Sequence, residues 1–476
     1  MGAALNKHQS TAPPSPTPAC LEICDRVVCR QLREENAALR AEVVALRAQL
    51  AASSQNSSRP PSSDGLTKSP AIPRRRGERS PGKQPGSPGA FLSQVADQDE
   101  VVDYQPTSCV DCGRSLERAT VVGHEVRQVF DIPHVQLEVA EHRAQVRRCS
   151  CGCDNVASFP AEVGAPTQYG ARLRALAVVL VVQQHLPLRR TAEVLSDVCG
   201  ATISAGTILT WVRSVAEESV APAVDEVAAL LHAADVLHVD ETGARVNGKL
   251  GWVHSAGTAG ATHYSFHRRR GGEGTRAGGV VPDFGGVLVH DGWAAYRGFG
   301  TTHALCNAHH LRELRALEER GQRWPAQLRT VLLDALDQVH QNRGQPLSVG
   351  RRSSLVRRYR AGLCAGQAEW PTHERADPVG ARKAKNLLHR LTMYEADVLR
   401  FTTDPDVPFT NNAAERDIRM VKLQQKISGC RRTERGIRAF LSVRSYLSTL
   451  RKNDVNPLRG LQLAMAGTPW LPTAGV

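Results

Sequence analysis

A chain of 476 residues is too long for one ordinary core and implies roughly two to four domains. Its net charge of +13 favours a polyanionic partner without choosing between DNA, RNA and an anionic membrane surface. The longest apolar segment, Leu173 to Val182, carries Arg174 and is too short to span a bilayer, which argues against a membrane-spanning class.

Residues 1–25 are Pro-rich and polar, and are expected to be disordered. The opening Met1 to Ser10 lacks the apolar stretch of a secretory signal, so a reducing cytosol is the expected compartment. Over 26–51, Leu32, Leu39 and Leu46 recur every seventh residue, with Cys29, Asn36, Val43 and Leu50 at the other core positions. Leucine at d with one Asn at a is the pattern of a parallel two-stranded coiled coil, and so of a homodimer. An amphipathic helix packed on its own chain is the alternative. Residues 52–95 are rich in Ser, Pro and Gly around Arg74, Arg75 and Arg76, and read as a disordered basic linker.

Twelve cysteines are present, and five lie between Cys109 and Cys153. In a reducing compartment such clustering points to metal rather than disulfides. Cys109 and Cys112 form one regular knuckle; Cys149, Cys151 and Cys153 form a second, irregular one. A structural Zn²⁺ held by Cys109, Cys112, Cys149 and Cys151, with Cys153 the rival fourth ligand, would stabilise a β-rich domain over 96–165 that has little core. Small buried thiols are the competing reading.

Residues 166–232 read as helical. A glycine turn at Cys199-Gly200 and a cap at Ser204 separate two helices, the second containing Ile208 and Trp211. Such a pair can place its second helix in a DNA groove, although a plain helical hairpin has the same signature.

From Val236 the pattern changes to strands: Val236–Val239, Leu250–Ser255, Ala261–His267, Val287–His290 and His303–Leu305, with hairpin turns at Asn247-Gly248 and Ala259-Gly260. A mostly helical stretch over 312–405 follows, then two helices between Phe409 and Leu450 split near Ser428-Gly429. The expected domain is mixed α/β over 233–452, with a tail over 453–476.

Asp240 and Asp291 each close an apolar run, and Glu415 starts a helical pattern. Two carboxylates at strand ends and a third on a helix can converge on a pair of Mg²⁺ or Mn²⁺ ions, whose hard character suits oxygen donors. That order of acids fits an RNase H-like sheet, and the chemistry would be phosphodiester cleavage or transfer. Glu241 and Asp283 are rival ligands, but Glu241 is out of phase with Asp240 and should face away. From Asn411 to Lys452 there are eleven Lys/Arg against three Asp/Glu. Arg419 and Lys422 share the Glu415 face and are candidate phosphate contacts, with Lys426, Arg431 and Arg432 beyond them. Pairing of Arg419 with Glu415 is the structural alternative. Asn411 and Asn412 are either the helix cap or polar contacts to DNA, and one of them is expected to cap the helix.

On these residues the chain resembles the insertion-sequence-66 family of DDE transposases. The resemblance spans nearly the whole chain, and His238-Val239-Asp240-Glu241-Thr242, Asp291-Gly292-Trp293 and Asn411-Asn412-Ala413-Ala414-Glu415-Arg416 are its specific motifs. It implies an RNase H-like core with Asp240, Asp291 and Glu415 as catalytic triad, and 312–405 as the family's insertion. It also implies terminal inverted repeats and target DNA as partners, accessory proteins from the same element, and a bacterial, nucleoid-associated location. A Cys-x-x-His signature is matched by Cys306 and His309, for which helix-start packing and an auxiliary DNA contact are the expectations. A non-catalytic DNA-binding derivative and a structure-selective nuclease are the competing functions.

Overall fold

The computed structural model describes residues 27–50, 92–299, 302–342 and 345–473. The expectations for 1–25, and for the basic linker as far as residue 91, lie outside the described residues. The zipper segment is a continuous helix, α1 (Val27–Leu50), with Leu32 and Leu39 more than half exposed on the single chain. The cysteine-rich segment has less regular structure than the β-rich domain expected: two three-residue strands, β1 (Val146–Arg148) and β2 (Asp154–Val156), pair antiparallel. Nearly all of 92–165 is exposed, so the polypeptide alone supplies almost no core there.

Helices α2 (Ala171–Val182), α3 (Leu188–Cys199), α4 (Ala205–Ser214) and α5 (Ala221–His232) come next, with a five-residue π-helical turn joining α4 to α5. The α3–α4 corner forms as the residues dictate. Gly200 adopts φ +66 and closes α3, a left-handed conformation in which a side chain is strained. Ser204 accepts the Thr207 N–H at 3.0 Å and opens α4. Ile208, Trp211 and Val212 are the buried stripe of α4.

The sheet is five-stranded in the order β5-β4-β3-β6-β7. Its strands are β3 (Val236–Val246), β4 (Lys249–Gly257), β5 (Thr262–His267), β6 (Val287–His290) and β7 (Thr302–Leu305). The first three form an antiparallel meander; β6 and β7 add in parallel beyond β3. The β3–β4 turn uses Asn247 at φ +51 and Gly248 at φ +72, the two positive values that a two-residue hairpin requires. A short helix, α6 (Gly272–Ala277), lies between β5 and β6.

Helices α7 (Asn307–Glu318), α8 (Trp324–Gln341), α9 (Val349–Glu369), α10 (Pro378–Met393) and α11 (Glu395–Leu399) build the helical insertion. They enclose a core of their own around Trp324, Leu328, Tyr359 and Leu388, joined to the sheet through Val289, Ala304 and Leu305. Then α12 (Asn412–Ser428) and α13 (Glu434–Lys452) follow, split at Gly429. The segment after Lys452 is not simply a tail, because α14 (Pro457–Met465) buries Leu461 and Ala464.

The helices at 171–232 do not form a unit apart from the sheet. Ala175, Val178, Ile208 and Trp211 share one apolar cluster with Val246 and Phe266 of the sheet and Phe440, Tyr446 and Leu461 of the C-terminal helices. Their apolar faces are too wide to be satisfied within the pair, so the sheet and α13 complete them.

Candidate active site

Strand β3 does not end at Asp240; it continues six residues further, to Val246. The expectation of a strand-end carboxylate is corrected to a mid-strand one. The apolar residues change faces along this strand. Leu237 and Val239 point into one core, while Ala244 and Val246 point into the other. Asp240 lies where the even-numbered face is not yet covered by apolar side chains, and is half-buried.

Register then brings in the second acid. His238 pairs with Val289 in the parallel β3–β6 ladder. Two residues on from that pair lie Asp240, still in β3, and Asp291, in the bend just past β6, near enough that the Asp291 charge acts on the Asp240 carboxyl. In the next ladder His290 pairs with Leu305, so Cys306 extends the row. Gly292 takes φ +92 directly after Asp291, and the Asp291 carboxylate accepts the Trp293 N–H at 2.9 Å, which fixes the turn.

Glu415 is supplied by the first turn of α12, where the helix dipole favours a carboxylate. Burial, and then the negative charges of Glu241, Asp291 and Glu415, hold the Asp240 carboxyl well above the usual carboxylate range. Three of the expected acids therefore share one electrostatic neighbourhood. Of the rivals, Asp283 is an exposed turn residue with φ +58. Glu241 faces away as its phase requires: its carboxylate takes Arg270 at 2.6 Å and the Tyr296 hydroxyl at 2.5 Å. The Arg270 guanidinium lies 4.8 Å from the Trp252 ring and 4.4 Å from the Trp293 ring.

Asn411, expected as a cap, has a different task in the structure. Although it precedes α12, its side chain makes no capping bond. Its amide donates to the Val239 carbonyl at 2.8 Å and its oxygen meets His238 Nδ1 at 2.9 Å. It thus ties α12 to the strand that carries Asp240. Asn411→Ala is expected to lower stability by about 1–3 kcal/mol, because a buried carbonyl loses its side-chain partner. Urea unfolding checks this, and a change smaller than the measurement error would remove the clamp role.

The basic candidates divide. Arg419 and Arg432 are exposed, and Lys426 is exposed with contacts of its own. Lys422 donates to the Gly243 carbonyl at 2.6 Å, so its charge is engaged with β3. Arg431 stacks on Phe440 at 4.4 Å, and burial pushes its pKa down to about 10. Both side chains therefore have partners within the fold. His309 is placed beside Glu415. It is half-buried with Nδ1 3.7 Å from Glu415, whose other oxygen lies 3.6 Å from Arg312. No ion pair joins Arg419 to Glu415 among the described residues; Arg312 is the cation that sequence spacing missed. Cys306 keeps its helix-start position, and its sulfur accepts the Asn411 N–H at 3.1 Å.

Cys109 and Cys112 flank a turn in which Gly113 donates to the Cys109 carbonyl at 2.9 Å. Cys149 to Cys153 form the tip of the β1–β2 hairpin, closed by a 2.8 Å bond from Cys149 N–H to the Cys153 carbonyl. The two knuckles are formed but not gathered into one cluster of three or more ligand atoms among the described residues.

The structure is a mixed α/β sheet with Asp240 on its central strand and Asp291 just past the end of the neighbouring one, and the two aspartates and Glu415 are not gathered into one cluster of ligand atoms among the described residues. Comparison with known families identifies the class. The sequence model of the Transposase IS66 family matches residues 166–439, more than half the chain, and the chain belongs to that family. The zinc-finger binding domain of transposase IS66 matches residues 106–152, which supports structural zinc and contains Cys109, Cys112, Cys149 and Cys151. A family of unknown function (DUF6444) matches residues 14–92. The "Uncharacterized protein y4hP" of Sinorhizobium fredii is 26% identical over 399 residues, covering 76% of this chain and 70% of its own. Among the described residues no helix is long and apolar enough to cross a membrane.

Proposed function

We propose that the chain is a DDE-type DNA transposase with an RNase H-like core, which cleaves the terminal inverted repeats of an insertion sequence and joins them to target DNA. The observation that carries this is that Asp240, in β3, and Asp291, in the bend just past β6, follow the last pair of the parallel β3–β6 ladder by two residues each, with Glu415 adding its charge from α12. The donor set fits Mg²⁺ or Mn²⁺: the oxygens are hard, and the acids raise one another's affinity for positive charge by mutual repulsion. Bound there, a pair of such ions would activate the attacking oxygen and neutralise charge on the leaving one. The chain's own contribution is placement. In this reading β3 and the bend after β6 carry the two aspartates, the Asx turn orients Asp291, and Asn411 ties α12, which carries Glu415, to β3.

Arg419, Lys426 and Arg432 are the phosphate contacts in this reading, since they present charge outward along α12 and just beyond it. The α3–α4 corner is the second DNA contact, and α1 pairs two chains through Leu32 and Leu39, with accessory proteins of the same element as further partners. The test is incubation of the full chain with DNA bearing the repeats that flank its gene. Mg²⁺-dependent nicks at the repeat ends followed by strand joining are expected. Binding without cleavage under every divalent metal would return the non-catalytic reading, and cutting independent of the repeats would return the nuclease.

The zinc assignment makes its own prediction. Zinc content, measured after purification without chelator, is expected to fall in Cys109→Ser, Cys112→Ser, Cys149→Ser and Cys151→Ser and to persist in Cys153→Ser. The reverse order for Cys151 and Cys153 would exchange the fourth ligand.

A further inference from the structure

The Cys306, His309 and Glu415 ligand atoms lie within 4.8 Å of one another at the junction of β7, α7 and α12. Cys306 precedes α7 and His309 is three residues on, so both address the same side of its first turn. Glu415 approaches from the first turn of α12. This set offers sulfur, nitrogen and oxygen, unlike the all-oxygen set of the two aspartates and Glu415.

We propose that Cys306, His309 and Glu415 form a separate binding site for one borderline-soft divalent cation of the zinc class. The inference rests on the transposase reading only through the shared Glu415. Three observations support it. His309 Nδ1 and Glu415 Oε1 are both buried without hydrogen-bond partners, although each faces the other. Their 3.7 Å separation is too long for a hydrogen bond, while two ligands on one zinc stand about 3.4 Å apart, so a small closure suffices. The Cys306 sulfur accepts a backbone N–H from Asn411, an outer-shell bond that metal thiolates use to hold their charge. Thiolate and imidazole together select zinc-class ions over Mg²⁺.

The ion would bind the start of α7 to the start of α12 and so hold Glu415 at a fixed position. A carboxylate has two oxygens, so Glu415 remains available to the aspartate pair. Cys306 and His309 are positioning residues here, since they act on Glu415 and touch no reacting atom.

The test is a Co²⁺ titration of the metal-stripped full chain, read by thiolate-to-cobalt charge-transfer absorption, because Co²⁺ follows zinc in ligand choice. The wild type is expected to take up one more equivalent of Co²⁺ than His309→Ala or Cys306→Ser, with at least tenfold weaker binding at that step in either variant. Asp240→Asn is expected to keep the wild-type thiolate-to-cobalt band, since the aspartates offer oxygen alone. Equal uptake by the wild type and His309→Ala would overturn the site, and so would loss of that band in Asp240→Asn, which would assign the ion to the aspartates. His309 is only half-buried, so its variant carries the test should Cys306→Ser not fold. Failure of the transposase reading appears elsewhere, as DNA cleavage that survives in Asp240→Asn.

Discussion

Asp291→Asn is expected to reduce Mg²⁺-dependent strand cleavage by about 10³-fold or more while leaving repeat binding within twofold of the wild type. The amide keeps the shape, so the Trp293 N–H bond at 2.9 Å has an acceptor to replace it. What it loses is one anionic donor for a hard cation, and that cation supplies several kcal/mol of transition-state stabilisation; about 4 kcal/mol corresponds to the stated factor. Asp291→Cys sharpens the test: it should be inactive in Mg²⁺ and recover part of the rate in Mn²⁺, which tolerates sulfur better. Cleavage at wild-type rate in Asp291→Asn would remove the residue from the site. In the metal-free protein Asp240→Asn is expected to raise the thermal midpoint at neutral pH. Burial and three neighbouring acids raise the folded-state pKa of Asp240. Stability tied to that group is complete below the unfolded value of 3.8 and falls as pH rises, so removing the charge restores it. Loss of activity with gain of stability is the signature of a functional acid cluster; a merely structural Asp would lose both.

A second large effect is expected on acidification. His185 and His254 are buried, and each has its pKa pushed down to about 4. Burial is the main cause for both. Arg444 and Arg431 add repulsion at His185, and His267 and Arg270 at His254. The unfolded chain binds these protons near 6.5 and the folded chain only near 4. Stability is therefore complete above pH 6.5 and declines as pH falls towards 4, by up to about 1.4 kcal/mol per pH unit for each histidine. Urea midpoints measured between about pH 7 and 5 should fall steadily, and His254→Leu should flatten the slope. An unchanged slope in that variant would mean that other groups govern the acid limit.

The sheet was legible from the sequence because its strands alternate and its turns carry Asn247-Gly248 and similar punctuation. The α3–α4 corner was legible for the same reason, since Gly200 and Ser204 mark it chemically. The three acids were singled out by their settings, and the sheet carries Asp240 within β3 and Asp291 just past β6. Long-range partnerships were not legible. Nothing near Glu415 in sequence points to Arg312, far earlier in the chain, nor near Lys422 to the Gly243 carbonyl. Asn411 looked like a cap because Asn commonly is one; the buried Val239 carbonyl, which only the fold brings near, draws its amide away. The extent of β3 was underestimated because its apolar residues change faces at Asp240, which interrupts a simple alternation.

The cluster in which Ala175, Ile208 and Trp211 meet Phe266 and Phe440 has a practical meaning for anyone dividing the gene. A truncated chain beginning at residue 233 would strip greasy side chains of their cover and is expected to precipitate. The complementary piece, ending just before that point, would be left equally sticky. On the proposed function, the helices α3 and α4 that would read DNA are welded to the part that would cut it, so swapping recognition between relatives calls for surface substitutions rather than a spliced module.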